Sequence, residues 1–134
     1  KMLQAKKEIL ILKCEKLQHS SLFQELKERS NNKKKYGQTL SEQNWELLKE
    51  QIDSACPNWQ AAVQDIETLK KTEIEICYLS FLNISIKSEA MLLGINPDSA
   101  NKRRLRTRQS LGLTNSKTGI YEFIIRKTLE NIVI

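Results

Sequence analysis

The chain has 134 residues, 22 of them Lys or Arg against 16 Asp or Glu, for a net charge of +6, and only four Gly and two Pro. That length suits one compact domain or a small domain with an appendage, and the abundance of Leu, Ile, Lys and Glu favours helix. No apolar run nears the roughly 20 residues of a membrane span, no signal-peptide pattern is present, and three scattered cysteines with one histidine make no zinc site.

Residues 1 to about 32 read as one long helix. Met2, Ala5, Ile9, Leu12, Lys16, His19, Phe23 and Leu26 fall on alternating three- and four-residue steps, a heptad seam that Lys16 and His19 interrupt. Leu3, Leu10 and Leu17 form a second stripe beside it. Such a helix needs a partner, either a second chain or the rest of this one. His19, on the seam, is expected to be packed. The chain opens on Lys rather than Met and is read as a piece of a longer protein, with the cytoplasm as its compartment and any membrane anchor upstream. Cys14, Cys56 and Cys77 are expected as reduced thiols serving as small buried hydrophobes.

The stretch SNNKKKYGQTL stops the helix through Asn31, Asn32 and Gly37, and residues 33–35 are a solvated basic linker. The chain is accordingly divided into an N-terminal helix and linker, 1–36, and a helical domain, 37–134. Ser41 caps the next helix, with Leu40 and Trp45 at the positions of a hydrophobic staple. Leu48, Ile52 and Ala55 share a face with Trp45. Cys56-Pro57 ends that helix, and Pro57 opens one presenting Trp59, Ala62, Val63, Ile66 and Leu69. The two tryptophans are expected to anchor this helix pair to each other. Helix continues over 71–82, with Ile74, Cys77, Leu79 and Phe81 directed to the core and Asn83 as its end.

Ser85 caps IKSEAMLL, which stops at Gly94. Asn96 then caps a helix with Pro97 in its first turn and Asp98 adding a favourable negative charge. That helix runs to Leu111, where Gly112 supplies a left-handed end and Leu113 its apolar contact. A last helix covers about 117–131, carrying Ile120, Phe123, Ile124 and Ile125. No segment shows convincing strand alternation, so the expected fold class is all-α.

Two short helices joined by a turn at 94–96 predict a helix-turn-helix over about 85–111, with 97–111 as the helix that enters the major groove. Ala90 is small where the helices cross, and Gly94 provides the positive φ of the turn. Charge points the same way. Residues 1–39, 40–95 and 96–134 carry net charges of +6, −5 and +5, and five of the seven residues from Lys102 to Arg108 are basic. Like charges at that density repel along a helix, which suggests a polyanionic partner. Taking Ala100 as inward and turning 100° per residue, Lys102, Leu105, Arg106 and Gln109 face outward, flanked by Asn101 and Arg108. Arg104 faces inward, to pair with Glu73 or Glu89.

The stretches LSEQNWELLKEQIDSACPNWQAAV, LKKTEIEICYLSFLNIS and SEAMLLGINPDSANKRRLRTRQSLGL resemble the C-terminal region of bacterial regulators with a LuxR/GerE-type helix-turn-helix. The kind in question follows a tetratricopeptide or other sensor region and a coiled-coil segment. The resemblance covers about 40–127 and rests on Trp45, Pro57, Leu69, Glu73, Cys77, Leu79, Ser85, Ala90, Leu93, Gly94, Ser99, Arg104, Arg108, Leu111 and Gly112. It departs from the family pattern at Lys70, Glu89, Ala100, Arg103, Thr107 and Ser110. It implies sequence-specific binding of duplex DNA by a transcription regulator, often a dimer.

In that reading Asn101, Lys102, Leu105 and Arg106 meet base edges, while Ser85, Lys87, Ser99, Arg103 and Arg108 hold phosphates. Pairing of copies is expected through the N-terminal helix, the C-terminal helix or both. The competing reading is an interaction or oligomerisation module whose basic face binds RNA polymerase or another acidic partner. No nucleophile–base pair, phosphate loop or paired carboxylates are present, so neither catalysis nor a cofactor nor a small-molecule site is expected.

Overall fold

The computed structural model describes residues 2–30, 40–64, 66 and 68–133. Among these the elements are α1 (Met2–Gln18), α2 (Ser21–Ser30), α3 (Glu42–Ala55), α4 (Pro57–Gln64), α5 (Lys71–Leu79), a 3₁₀ turn (Ser80–Leu82), α6 (Ile86–Leu93), α7 (Pro97–Ser110) and α8 (Ile120–Val133). No strand occurs among them. The fold class is all-α. None of these helices is long and apolar enough to cross a membrane. The basic linker at 33–35 and the division at 36/37 lie outside the described residues.

The N-terminal helix departs from expectation in two ways. It breaks after Gln18, because Ser20 starts a new helix: its carbonyl accepts from Gln24 N at 3.0 Å, and its hydroxyl accepts from Phe23 N at 3.4 Å. His19, at the break, is exposed rather than packed. The face that α1 buries is also the other one. Leu10, Cys14 and Leu17 enter the core, while Ile9 and Leu12 of the heptad seam stand 54% and 56% exposed. The chain itself provides the partner on the buried side, since α1 packs against α3 and α8.

The helices of the middle of the chain begin and end where short-range chemistry puts them. Ser41 Oγ accepts from Asn44 N at 3.1 Å, and Leu40 is buried with its amide donated to Leu92 O at 2.8 Å, which ties the start of α3 to the end of α6. Cys56 N closes α3 on Ile52 O, and α4 starts at Pro57. The expected helix over 71–82 is α5 followed by a single 3₁₀ turn, ended by Asn83 in the left-handed region at φ 50°.

α3 and α4 do pack together, but the two tryptophans sit in different surroundings. Trp59 is fully buried edge-on to Phe81, at 3.9 Å between ring centroids, and Tyr121 of α8 completes the aromatic cluster. This joins α4 to α8, a contact too distant in sequence for helical periodicity to show. Trp45 is half-buried beneath Lys49, whose Nζ lies 5.6 Å from its ring. All three cysteines are buried free thiols, and Cys14 Sγ lies 3.5 Å from Cys56 Sγ. Burial pushes the Cys77 thiol up to about 12.

Candidate nucleic-acid interface

Ser85 begins the region of interest. Its backbone is extended (φ −66°, ψ 162°), and its hydroxyl accepts from Ser88 N at 3.1 Å, so α6 starts where the sequence places the cap. Gly94 at φ 68° ends α6, with Gly94 N on Met91 O and Ile95 N on Ala90 O, the paired bonds of a Schellman turn. Two residues later Asn96 Oδ1 accepts from Ser99 N at 2.8 Å and α7 departs with Pro97 in its first turn. At the far end Leu113 N bonds Arg108 O and Gly112 adopts φ 77°, a second such turn.

The inward face of α7 is Ala100 and Thr107, both fully buried, with Leu111 below. Thr107 Oγ1 donates to Arg103 O at 2.8 Å, so its hydroxyl is satisfied within the helix. Arg104 lies against the same surface. Its Nε donates to Glu89 Oε2 at 2.8 Å and its Nη2 to Ile84 O at 3.2 Å, which bolts α7 onto α6. Glu89 is the partner taken, with a side chain only 2% exposed. Glu73 serves elsewhere: it accepts from Lys70 N at the start of α5 and from Ser110 Oγ at 2.7 Å. Thr68 Oγ1 reaches Ser110 O at 2.9 Å, so the end of α7 is held from the α5 side as well. Desolvation raises the Glu89 carboxyl above the ordinary range, against the opposing pull of Arg104.

The outward face is open. Asn101, Lys102, Leu105, Arg106 and Gln109 are all exposed, and Leu105, a large apolar side chain, is 54% so. Gln109 belongs to this group although only its angular position, and no charge, marked it in the sequence. Arg103 is half-buried on the flank. Lys87 on α6 is exposed and lines a pocket of about 230 Å³ with Asn96 and Pro97 at the start of α7. Asp98, the one acid of α7, is exposed in its first turn.

Three of the anticipated phosphate holders also bond within the protein. Arg108 makes the most such bonds: its guanidinium donates to the carbonyls of Leu113, Thr118 and Ser116, at 3.0, 2.7 and 2.5 Å, and straps the connection to α8 onto α7. It stays on the protein because a planar cation facing several carbonyls gains more there than in water. Ser99 gives its amide to the cap and is half-buried, and Ser85 Oγ is bonded to both the amide and the hydroxyl of Ser88. The sequence held no signal for the Arg108 strap, because its acceptors are backbone atoms of an irregular segment.

Arg108→Ala therefore acts on structure first. Three charge-assisted bonds at about 1.5–3 kcal/mol each, discounted because water can reach part of the site, give a local loss of about 2–4 kcal/mol. Hydrogen exchange should show the amides of residues 113–119 opening at least about tenfold faster, with those of α3 little changed.

Comparison of the chain with models of known protein families, with curated proteins and with solved structures finds no match.

Proposed function

We propose that this chain binds duplex DNA in a sequence-specific manner, as the output portion of a transcription regulator similar to the LuxR/GerE type. In this reading α6, the turn at 94–96 and α7 act as a helix-turn-helix, with α7 in the major groove. One observation carries it. An unbroken outward face of α7 offers two amides, two cations and one leucine, while the opposite face is held by the Arg104–Glu89 bridge and by Ser110.

The chemistry of that face suits base edges. Lys102 and Arg106 can donate to guanine O6 and N7, Asn101 and Gln109 can make paired bonds to adenine, and Leu105 can cover a thymine methyl. Asp98 faces the same side in the first turn, where a carboxylate repels phosphate and suits the cytosine amino group. Phosphates then fall to the cations Lys87 and Arg103 rather than to the capped serines. A bolted helix also avoids ordering costs on binding, since its position is fixed beforehand. One module of this size gains useful affinity by pairing with a second copy.

Two measurements test the reading. Selection of bound sequences from a random duplex library should return a consensus, palindromic where copies pair. With Lys87 and Arg103 each neutralising about one phosphate, log K should fall against log salt with a slope near −1.8 per subunit. Retention of random duplexes with no enrichment would reduce the face to a nonspecific cationic surface. Association with an acidic protein that duplex DNA fails to displace would assign the face to a protein partner instead.

A further inference from the structure

We infer that Cys14 and Cys56 form a redox-modification site, at which hydrogen peroxide closes a disulfide between α1 and the junction of α3 with α4. The two sulfurs belong to residues 42 positions apart and lie 3.5 Å from each other, both free and both 1% exposed. A disulfide is about 2.05 Å long, so closure asks for an approach of about 1.5 Å. The backbone favours that movement on one side. Cys14 is fixed within α1, but Cys56 has already left the helix, at φ −133° and ψ 75°, and can adjust without breaking a helical turn. Cys77 supplies the contrast within the same chain. It is more deeply buried, its thiol stands at about 12, and the short sulfur–sulfur contact is made by the other two cysteines.

The surroundings divide the roles. The Cys56 thiol and the Tyr121 hydroxyl both bond to the Cys14 sulfur, and these bonds hold Cys14 below the ordinary thiol value against the opposing cost of burial. Cys56 is pushed the other way by its bond to Cys14 and by burial, and burial keeps the Tyr121 proton in place. Cys14 is therefore the attacking sulfur and Cys56 the resolving one. The Cys14 thiolate attacks one peroxide oxygen and the O–O bond breaks. The departing hydroxide takes the proton that Cys14 gave up and leaves as water, and Cys14 becomes a sulfenic acid. The Cys56 sulfur then attacks the Cys14 sulfur. An S–S bond forms, the S–O bond breaks, and the hydroxyl leaves with the Cys56 proton as a second water. The two thiols have together lost two electrons, and the peroxide has gained them. A groove of about 660 Å³ between α1 and α3 is lined by Lys13, Leu17 and Ala55, so solvent reaches the chain neighbours of both cysteines. Local opening of α1 along that groove admits a molecule little larger than water. The inference stands on the packing of α1 and holds whether or not α7 meets DNA.

The test treats the whole folded chain with hydrogen peroxide and follows it by mass spectrometry of the intact chain and of its peptides without reduction. The expected product is a monomer lighter by two hydrogens, with one peptide pair joined through Cys14 and Cys56 and with Cys77 still open to alkylation. Cys77 should react at least about tenfold more slowly than the pair. A thiol reductant should restore the starting mass. The closed loop should raise the thermal midpoint by roughly 5–15 °C, because it restrains the unfolded chain. Two variants, each checked for helicity by circular dichroism, separate the sulfurs. Cys56→Ser keeps a donor beside Cys14 and should accumulate the Cys14 sulfenic acid, captured by a cyclic dione probe, whereas Cys14→Ser should leave Cys56 unlabelled. Failure of the folded chain to form the Cys14–Cys56 bond overturns the inference. Oxidation of Cys77 as fast as the pair overturns it too, since reaction would then pass through the unfolded chain. Labelling of Cys56 in Cys14→Ser would reverse the assigned roles, and a lowered midpoint would show a bond that strains the fold instead of stapling it.

Discussion

Replacing Lys102 and Arg106 together with alanine should weaken binding to a selected duplex by roughly 30- to 20,000-fold. Each well-placed contact to a base edge contributes about 1–3 kcal/mol of discrimination, and each 1.4 kcal/mol is a factor of ten. Both side chains are exposed and neither makes a contact that the fold requires, so helicity and thermal stability should stay within experimental error of the parent. The loss should be specific. Binding to random duplex falls less, because it rests on charge alone and Lys87 and Arg103 remain. Lys87→Ala gives the complementary result, weakening all sequences alike and reducing the salt slope by about one. Electrophoretic retardation of selected and scrambled duplexes, each at several salt concentrations, separates these effects. Unchanged retention of the selected duplex by the double variant would remove α7 from the reading element.

The second large effect concerns the bridge beneath that face. Arg104→Ala should cost about 3–5 kcal/mol of folding stability, because it strands the Glu89 carboxylate in a site where its side chain is 2% exposed. The pair itself is worth much less. Desolvation raises Glu89 and Arg104 only partly offsets it, so the charged carboxylate is a net burden that the arginine makes tolerable. Replacing both residues, Glu89→Leu with Arg104→Met, should therefore return stability to within about 1–2 kcal/mol of the parent.

The sign of the pH dependence follows from the same carboxyl. Its folded value lies above the ordinary glutamate value of about 4.3, so the native state holds its proton more tightly than the unfolded chain. Stability from this group is fully present below the ordinary value and is lost as pH rises through the folded one. Arg104→Ala should widen that window upward and recover much of its deficit on mild acidification, while Glu89→Gln should flatten the slope. Urea midpoints across pH 4–8 for the three variants would show it. A deficit in Arg104→Ala that does not shrink on acidification would mean that the loss comes from packing and not from a stranded charge.

The reach of sequence reasoning differed along the chain for a physical reason. Ser41, Ser85, Gly94, Asn96 and Gly112 were all identified in their structural roles, because a cap or a left-handed end is decided among residues within about one turn. The outward set on α7 followed from 100° per residue alone. The break before α2 was legible in principle, since Ser20 followed by an apolar pair is an ordinary helix start, but the heptad steps running through His19 concealed it. Periodicity measured spacing and could not register a new beginning.

Where two answers were locally equal, only packing chose. Both stripes of α1 are apolar, and whether Leu10, Cys14 and Leu17 or Ile9 and Leu12 turned inward depended on the surface that α3 and α8 present. Trp59 found Phe81 and Tyr121 instead of Trp45 for the same reason. Of the five basic side chains on α7, helical geometry set only Arg104 apart as inward-facing. Arg104 went to Glu89 and Arg108 to three carbonyls of the lead into α8, leaving Lys102 and Arg106 exposed and Arg103 half-buried within electrostatic reach of Glu89. Thus the amino-acid order by itself determined where α3, α6 and α7 begin, where α6 and α7 end, and that α7 is a cationic helix with one open face. Which of its cations remain available was decided by the tertiary structure, because the acids and carbonyls that capture the others come from distant or irregular parts of the chain and meet them only once it has folded.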